Sequence, residues 1–241
     1  MYQKIRRNIL LIEFKHVFKE YDNKVIAAND FTITIKQGEF VYVVGPSGAG
    51  KSTFIKMMYR EEIPTSGQIK INEFELEKIK NKEIPFLRRE LGVVFQDFKL
   101  LPKLTVFENV AYALQVIEKS PEKVKERVER VLELVGLADK TDVFPNELSG
   151  GEQQRIAIAR AIANKPRILI ADEPTGNLDP GTANDIMEII ERINKKGTTV
   201  VMATHNSSIV NERKHRVIEI DDGRVIRDQK RGGYKDESNN L

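Results

Sequence analysis

An apolar stretch that runs into a glycine-rich turn and a lysine limits the possible folds of this chain most strongly. Residues 39–44, Glu-Phe-Val-Tyr-Val-Val, form a short run that is β-branched and aromatic, a composition that predicts a buried parallel strand. The following residues, 45–52, have the form G-x-x-x-x-G-K-S, the pattern of a phosphate-binding loop between a strand and a helix. The alternative is a flexible Gly/Ser turn, and the strand in front of it favours the phosphate-binding interpretation.

Phosphate binding needs these residue types at this spacing. Glycines let the backbone fold closely around phosphate oxygens and point successive N–H groups inward. A helix beginning near Lys51 would add the positive end of its dipole, Lys51 would reach the outer phosphates, and the Ser52 hydroxyl would lie where Mg²⁺ binds. The predicted nucleotide-binding residues of this loop are Gly45, Pro46, Ser47, Gly48, Ala49, Gly50, Lys51, Ser52 and Thr53.

The composition fits one large α/β domain with room for an inserted subdomain. The chain has 241 residues, of which 40% are hydrophobic and 31% charged. No apolar run approaches the roughly 20 residues that span a bilayer, and no signal peptide is recognisable, so we expect a cytoplasmic protein. A net charge of +3 gives no electrostatic case for nucleic acid as a ligand, and the absence of cysteine excludes disulfides and thiol catalysis.

The chain begins with β-rich sequence and continues with helices. After a basic arm, residues 1–10, alternating apolar residues at 12–18 and 31–35 predict antiparallel strands with a turn over 21–24. Residues 65–67 predict another turn, before a strand at 68–71. From about residue 78 to 146 the sequence is typical of helices and loops, which we interpret as an inserted helical subdomain. Residues from 229 onward are polar and predict a mobile tail.

Two helices are well patterned within the predicted insertion. Thr105 can cap one of them, and Pro121 can occupy the first position of the other. The second helix has apolar residues at i, i+4, i+7, i+8 and i+11, which predicts one buried stripe. The stripe consists of Val124, Val128, Val131, Leu132 and Val135. Further on, the basic residues at 213–216 are interpreted as solvated charge, with anionic lipid or phosphate as the alternative contact.

A second apolar run, residues 168–171, ends in two adjacent carboxylates, Asp172 and Glu173. The run predicts a parallel strand, whose carboxyl end lies at the ligand-binding edge of an α/β sheet. Side chains alternate along an extended chain, so we predict that Asp172 faces Mg²⁺ and that Glu173 faces a water attacking the γ-phosphate. The alternative is a pair of turn carboxylates in front of Pro174.

The segment Leu-Ser-Gly-Gly-Glu, residues 148–152, marks the start of another helix. Ser149 and Glu152 have the spacing of a capping box, which is a purely structural reason for both residues. Gly150 and Gly151 are costly inside a helix, but they permit an anion to approach the positive helix end closely. One phosphate-binding loop already forms its own cup, so this second surface is most simply explained by a nucleotide bound to another copy of the chain.

These motifs, taken in order, closely resemble the nucleotide-binding domain of ABC ATPases over about residues 11–228. Asn177-Leu178-Asp179 and His205 after a strand belong to the same resemblance. It implies an Mg²⁺-dependent ATPase that forms a head-to-tail homodimer on ATP binding. The implied fold class is α/β, a P-loop NTPase core with an N-terminal antiparallel β segment and an inserted α-helical subdomain.

The resemblance also implies roles for single residues. Tyr21 would stack on adenine, Gln96 would sense Mg²⁺ and the γ-phosphate, and His205 would contact the γ-phosphate. Asp179 would lie at the dimer interface, and the surface at 149–151 would complete the site of the second protomer. The alternatives are ordinary packing for Tyr21, a solvated loop amide for Gln96 and a helix-start residue for His205.

Residues 95–102 and 105–110 resemble the branch of the family that acts in bacterial cell division. This resemblance implies a transmembrane partner that holds the chain at the inner face of the membrane and receives the closing motion, in the control of peptidoglycan hydrolysis. The apolar residues that could dock the partner, with burial in the subdomain as the alternative, are Phe98, Leu100, Leu101 and Phe107. Two other functions stay open, the ATPase subunit of a substrate-moving transporter and, less favoured, a nucleic-acid repair or translation ATPase.

Overall fold

The computed structural model describes residues 10–117 and 120–234, in which ten strands form two sheets. The strands are β1 (Leu10–Glu20), β2 (Ile26–Lys36), β3 (Phe40–Val44), β4 (Ser66–Ile71), β5 (Phe74–Glu75), β6 (Leu91–Val94), β7 (Ile168–Asp172), β8 (Thr199–Ala203), β9 (Arg216–Asp221) and β10 (Arg224–Gln229). The antiparallel four-stranded sheet has the order β2-β1-β4-β5. The six-stranded sheet has the order β10-β9-β3-β8-β7-β6, in which every neighbouring pair except β10 and β9 is parallel.

Seven α-helices accompany these strands within the described part of the chain. They are α1 (Lys51–Met58), α2 (Ile84–Arg89), α3 (Val106–Gln115), α4 (Pro121–Val135), α5 (Gly150–Ile162), α6 (Pro180–Lys195) and α7 (Ser207–Arg213). The predicted helix starts at Lys51, after Thr105 and at Pro121 are confirmed. The Thr105 side chain accepts from the backbone N–H of Glu108, as an N-cap residue does.

The central parallel strands are buried on both faces. Every residue of β3 and β8 is buried, which explains the continuous apolar runs of their sequences. Alternate residues of β3 enter different cores. Tyr42 and Val44 pack with the helical cluster that contains the buried stripe of α4, whereas Val41 and Val43 pack with β1, β2 and α1. The predicted apolar stripe of α4 is confirmed, because all five of its residues are buried.

One strand of the parallel sheet lies inside the predicted helical insertion. β6 pairs with β7 from Leu91 opposite Ile168 to Val94 opposite Ala171. The expectation of only helices and loops from about 78 to 146 is therefore wrong for this segment. The run is only four residues long, and it contains Gly92, where an added Cβ would lie 2.4 Å from a backbone oxygen of α5. The division into one ATPase domain with a helical subdomain otherwise stays a prediction.

The N-terminal strands extend beyond their predicted boundaries because irregular residues interrupt the pairing without ending it. His16 and Asp30 have φ of 49° and 65°, and the register shifts near His16. The His16 side chain is therefore exposed, and its Nδ1 lies 2.8 Å from Asp30 Oδ1. Ser66 and Gly67 open β4, so the turn predicted at 65–67 is wrong for these two residues, whereas the turn over 21–24 is confirmed.

The polar segment after β10 is attached to the fold up to Tyr234. The Arg227 guanidinium donates to the carbonyl oxygens of Gly233 and Tyr234 at 3.0 and 2.8 Å. The Tyr234 N–H donates to Asn211 Oδ1 at 2.7 Å, and its ring packs against the helical cluster. The expectation of a mobile tail is therefore wrong for 229–234. Residues 235–241, and 1–9 of the basic arm, lie outside the described residues.

Three of the four basic residues at 213–216 make internal contacts, whereas Lys214 is exposed. Arg213 pairs with Glu191 at 3.1 Å, and Arg216 pairs with two carboxylates at 2.7 Å. The His215 ring stacks on Phe40 with centroids 4.2 Å apart, and burial lowers its pKa. Solvated charge and lipid contact are therefore both wrong interpretations for these three residues.

Candidate active site

The glycine-rich turn joins the end of β3 to the start of α1. Gly45, Gly48 and Gly50 have φ of 143°, 80° and 108°, which residues with a Cβ rarely adopt. The Lys51 ammonium donates to the carbonyl oxygens of Gly45 and Pro46, both at 2.8 Å. The lysine charge is therefore held against the loop that is predicted to receive phosphate.

Apart from Lys51, which is half-buried, the residues of the loop divide into an exposed and a buried set. The exposed residues are Pro46, Ser47, Gly48 and Ser52. The buried residues are Gly45, Ala49, Gly50 and Thr53. The exposed set can reach a ligand, and the buried set anchors the loop.

Tyr21 lies beside this loop, after the end of β1. Its hydroxyl is 3.1 Å from the hydroxyl of Thr53 in α1, and the Lys19 ammonium lies 4.8 Å from the centroid of its ring. The structure thus places Tyr21 next to the predicted nucleotide-binding loop. Stacking on adenine stays a prediction.

Asp172 and Glu173 lie at the carboxyl edge of the parallel sheet, next to the end of β8. Asp172 is in register with Ala203, and Glu173 has φ of 48°, so the chain leaves the strand direction at this residue. Glu173 Oε1 lies 2.8 Å from His205 Nδ1, and Oε2 accepts from the His205 backbone N–H at 3.3 Å. The structure therefore brings Glu173 and His205 into direct contact.

The electrostatics connect Asp172 to the glycine-rich loop. Burial raises the pKa of Asp172, the charge of Glu173 raises it further, and the charge of Lys51 opposes both effects. Because these charges act on one another, the acidic pair and the loop lysine form one charged site.

Gln96 follows β6 at the same edge and is exposed. Gly176 lies between it and the acidic pair, since a Cβ added there would be 3.5 Å from Gln96 Nε2 and 3.7 Å from Glu173 Cβ. Gln96 is thus within reach of the region around Glu173, and its sensing role stays a prediction.

The surface at 149–151 forms the start of α5, and its capping box is confirmed. Ser149 Oγ accepts from the Glu152 N–H at 3.3 Å, and Glu152 Oε2 accepts from the Ser149 N–H at 2.9 Å. Gly151 has a packing reason, because its Cβ would lie 2.4 Å from Thr182 Cγ2. The nearest atoms to a Cβ on Gly150 are 3.7 Å away, so packing does not explain that glycine.

Within one chain this surface is separated from the glycine-rich loop. Ser149 and Gly151 line a cavity of about 400 Å³ together with residues of the α4–α5 connection, and in the described chain no residue of 45–53 lines it. A larger cavity, about 690 Å³, lies at the amino edge of the sheet between α4 and the α5–β7 connection. That edge is opposite the one where α/β proteins bind ligands, so its size does not indicate the active site.

Asp179 caps α6. Its Oδ1 accepts from the N–H groups of Gly181 and Thr182, both at 3.0 Å, and hydrogen bonding by Thr182 and Gly181 lowers its pKa. The carboxylate is exposed, and its role at a dimer interface stays a prediction.

Arg160 is a residue of α5 that the sequence did not point to. Its guanidinium donates to the carbonyl oxygens of Phe98 and Lys99 at 2.9 and 2.6 Å. Both loop residues have positive φ, 58° and 48°, so the loop after Gln96 is an unusual backbone conformation held from α5. Burial lowers the pKa of Arg160. No local sequence pattern links residues that are about 60 positions apart.

Asn109 is the second residue without a predicted role. It is fully buried, and its amide bonds both backbone groups of Leu101 and the carbonyl oxygens of Leu104 and Thr105. It thereby fixes the loop that leads into α3. A signal was present, because Asn109 is a polar residue on the apolar face between Val106 and Val110.

The four docking candidates are not equally accessible. Leu100 and Phe107 pack against the helical cluster, and Phe98 is half-buried. Leu101 is 36% exposed, so it is the candidate most available to a partner.

The sequence profile of the ABC transporter family matches residues 28–176, which include the glycine-rich loop, the start of α5 and the acidic pair. The chain belongs to the ABC transporter family, as an ATPase of the P-loop class. The predicted fold class is confirmed.

Within this family the chain is similar to cell division ATP-binding protein FtsE. It is 64% identical to FtsE of Bacillus subtilis over 93% of this chain and 98% of that protein. It is 43% identical to FtsE of Escherichia coli, over 89% of this chain and 97% of that protein. The chain is also similar to the solved dimeric structure of MJ0796, a bacterial ABC transporter cassette, with 38% identity and a TM-score of 0.84. The match covers 92% of this chain and 100% of the MJ0796 chain. The resemblance to the cell-division branch is confirmed and is favoured over the transporter and nucleic-acid alternatives.

Proposed function

We propose that this chain is the Mg²⁺-ATP-hydrolysing subunit of a cell-division complex and that two copies close head to tail on ATP. One observation carries the proposal: the loop at 45–53 and the Glu173–His205 pair occupy one edge of the sheet, while the surface at 149–151 lines a separate cavity. That surface would then meet the nucleotide of a second copy. A 37% identical structure of MJ0796, described as a dimeric post-hydrolysis state bound to ADP and Pi, supports this arrangement.

The nucleotide would be held by the exposed part of the loop. Backbone N–H groups at the start of α1 and the Lys51 ammonium supply positive charge to phosphate oxygens. To reach the outer phosphates, Lys51 would exchange its two carbonyl acceptors for phosphate oxygens. The ring of Tyr21 would take the adenine.

The donor set suits Mg²⁺. Ser52 offers an exposed hydroxyl at the start of α1, Asp172 a half-buried carboxylate and Gln96 an exposed amide oxygen, and Mg²⁺ prefers such oxygen ligands. The ion would neutralise charge on the outer phosphates. A cation beside Asp172 would favour its ionised form and so offset the effect of burial on its pKa.

Glu173 would act as the general base. Its carboxylate would accept a proton from the water that attacks the γ-phosphate, and the contact with His205 fixes its orientation. Because Nδ1 of His205 is directed at Glu173, the second ring nitrogen, Nε2, is left to contact the γ-phosphate. Ser149, Gly150 and Gly151 would contact that phosphate from the second copy, with Asp179 at the interface.

The membrane link of the complex would come from a partner. Nowhere in the described ranges does the chain form a helix with the length and apolar character of a membrane span. The FtsE relatives are named as cell division proteins, which supports an FtsX-like integral membrane partner and a location on the inner face of the cell membrane. Other division proteins could join this complex, and we expect no nucleic acid.

Lys51→Ala is expected to weaken Mg²⁺-ATP binding roughly 10- to 150-fold. The variant removes the ammonium that would bond the outer phosphates, and hydrogen bonds to a charged group contribute about 1.5–3 kcal/mol. Calorimetric titration of the purified chain measures this change. Lys70→Ala is the control, because it removes an exposed lysine of β4 that is not part of the proposed site. Equal ATP affinity of the two variants would remove Lys51 from the site.

Leu101→Glu is expected to reduce co-purification of the membrane partner about tenfold, because it places a charge in the most exposed apolar position of the docking candidates. Pull-down from detergent-solubilised membranes measures it, and ATP binding should be unchanged. Ile226→Glu is the control, since Ile226 is 57% exposed on β10. If Leu101→Glu retains the partner as Ile226→Glu does, the docking surface lies elsewhere.

A further inference from the structure

An acidic side chain lies inside the surface that the proposed dimer presents to phosphate. Glu152 Oε2 accepts from the Ser149 N–H at 2.9 Å and from Ser149 Oγ at 2.8 Å. The hydroxyl that would contact the γ-phosphate of the second copy is thus bonded to a carboxylate. The Glu152 carboxylate and the γ-phosphate would repel each other if both were bonded to this hydroxyl.

Lys140 compensates this charge. Its ammonium, from the connection between α4 and α5, bonds Glu152 Oε1, the oxygen that Ser149 does not use. Hydrogen bonds from Lys140 and then from Ser149 lower the pKa of Glu152 to about 2, so the carboxylate is ionised at every physiological pH. The pair is therefore an ammonium and a carboxylate, with no net charge.

Lys140 also lies on the surface that is proposed to meet the second copy. Lys140, Glu152, Ser149 and Gly151 line the same cavity of about 400 Å³. The side chains of Lys140 and Glu152 are 36% and 25% exposed, so both charges are accessible from this cavity. A phosphate bonded to Ser149 would therefore interact electrostatically with both of them.

We propose that Lys140 is a positioning residue for the nucleotide held by a second copy. It neutralises Glu152 and keeps this carboxylate on the Ser149 backbone N–H while the Ser149 hydroxyl turns to the phosphate. This inference rests on the proposed two-copy function. Without Lys140, Glu152 keeps the hydroxyl and repels the incoming phosphate, so closure requires more ATP.

A double-mutant cycle in the Glu173→Gln background tests this role. The parent is the Glu173→Gln protein, and the other three proteins carry Lys140→Gln, Glu152→Gln or both changes in addition. Light scattering measures, for each of the four, the ATP concentration that gives half-maximal dimer. Lys140→Gln should raise this concentration about tenfold. The double variant should return to within about twofold of the parent, because the charge that Lys140 neutralises is gone. Lys140→Arg should stay close to the parent.

Two controls distinguish positioning from simple attachment of the α4–α5 connection. Lys125→Gln changes an exposed lysine on α4 outside this cavity and should not alter dimerisation. Added salt should narrow the gap between Lys140→Gln and the parent, because salt screens partly exposed charges. A purely structural defect would persist in the double variant and in high salt.

The possible results distinguish a failure of the proposed role of Lys140 from a failure of the proposed two-copy function. Parent-like dimerisation of Lys140→Gln, or a double variant as impaired as Lys140→Gln, overturns the role of Lys140 and leaves the clamp intact. A parent that stays monomeric at saturating ATP overturns the clamp, and the role of Lys140 with it.

Discussion

Glu173→Gln is expected to lower ATP turnover roughly 100- to 10,000-fold and to trap a dimer with ATP bound. Glutamine keeps the shape of the side chain and can still accept from the His205 N–H, but it cannot take a proton from the attacking water. ATP binding uses other groups, mainly the loop at 45–53, and should be unchanged. Closure without hydrolysis then accumulates the dimer.

The position of Glu173 makes this effect large. The side chain is only 14% exposed and is fixed by two contacts with His205, so solvent cannot easily replace it as the base. Asp172 is a poor substitute, because it is proposed to hold Mg²⁺ and because the chain leaves the strand direction at Glu173, whose φ is 48°. One group therefore carries the proton transfer.

Two measurements check the prediction. Phosphate release gives turnover, and light scattering at saturating Mg²⁺-ATP gives the mass of the particle. Glu188→Gln is the matched control, because it makes the same chemical change at an exposed position of α6. A variant with near-normal turnover would exclude Glu173 as the base, whereas an inactive variant that stays monomeric would exclude the two-copy clamp.

Local patterns made much of the fold and of the site predictable. The strand before Gly45, the acids after β7 and the capping box at Ser149 each depend on residues within a few positions of one another. The stripe of α4 is equally local, since one helical period defines it. The loop after β3 and the acids after β7 share one edge of the sheet, which also follows from sequence because parallel strands end at the same side.

Features that depend on distant residues were not predictable. Gly92 is a glycine because α5 passes close to it, and Gly151 because Thr182 lies against it. Arg160 holds the loop after Gln96 through two carbonyl oxygens that lie about 60 positions earlier in the chain. In each case the partner is brought close by the fold, so composition and spacing carry no signal.

The glycines of the loop at 45–53 have different physical roles, and alanine substitutions are expected to affect stability differently at each of them. Gly45→Ala is expected to destabilise the fold by about 4 kcal/mol or more. A Cβ at Gly45 would lie 2.0 Å from the backbone oxygen of Ile220, in β9. That oxygen cannot move without disturbing the pairing of β9 with β3 and β10, and φ of 143° adds strain.

Gly48→Ala is the matched comparison in the same loop. Gly48 has φ of 80°, but no heavy atom lies within 4 Å of its Cβ position, so the cost should be only the roughly 1–2 kcal/mol of a left-handed conformation. Urea unfolding followed by circular dichroism measures both variants. Equal decreases in the free energy of unfolding would mean that the close approach of the Ile220 oxygen does not constrain Gly45. A large loss of stability at Gly45 alone would show that the close approach of Ile220 fixes this end of the loop to the core sheet.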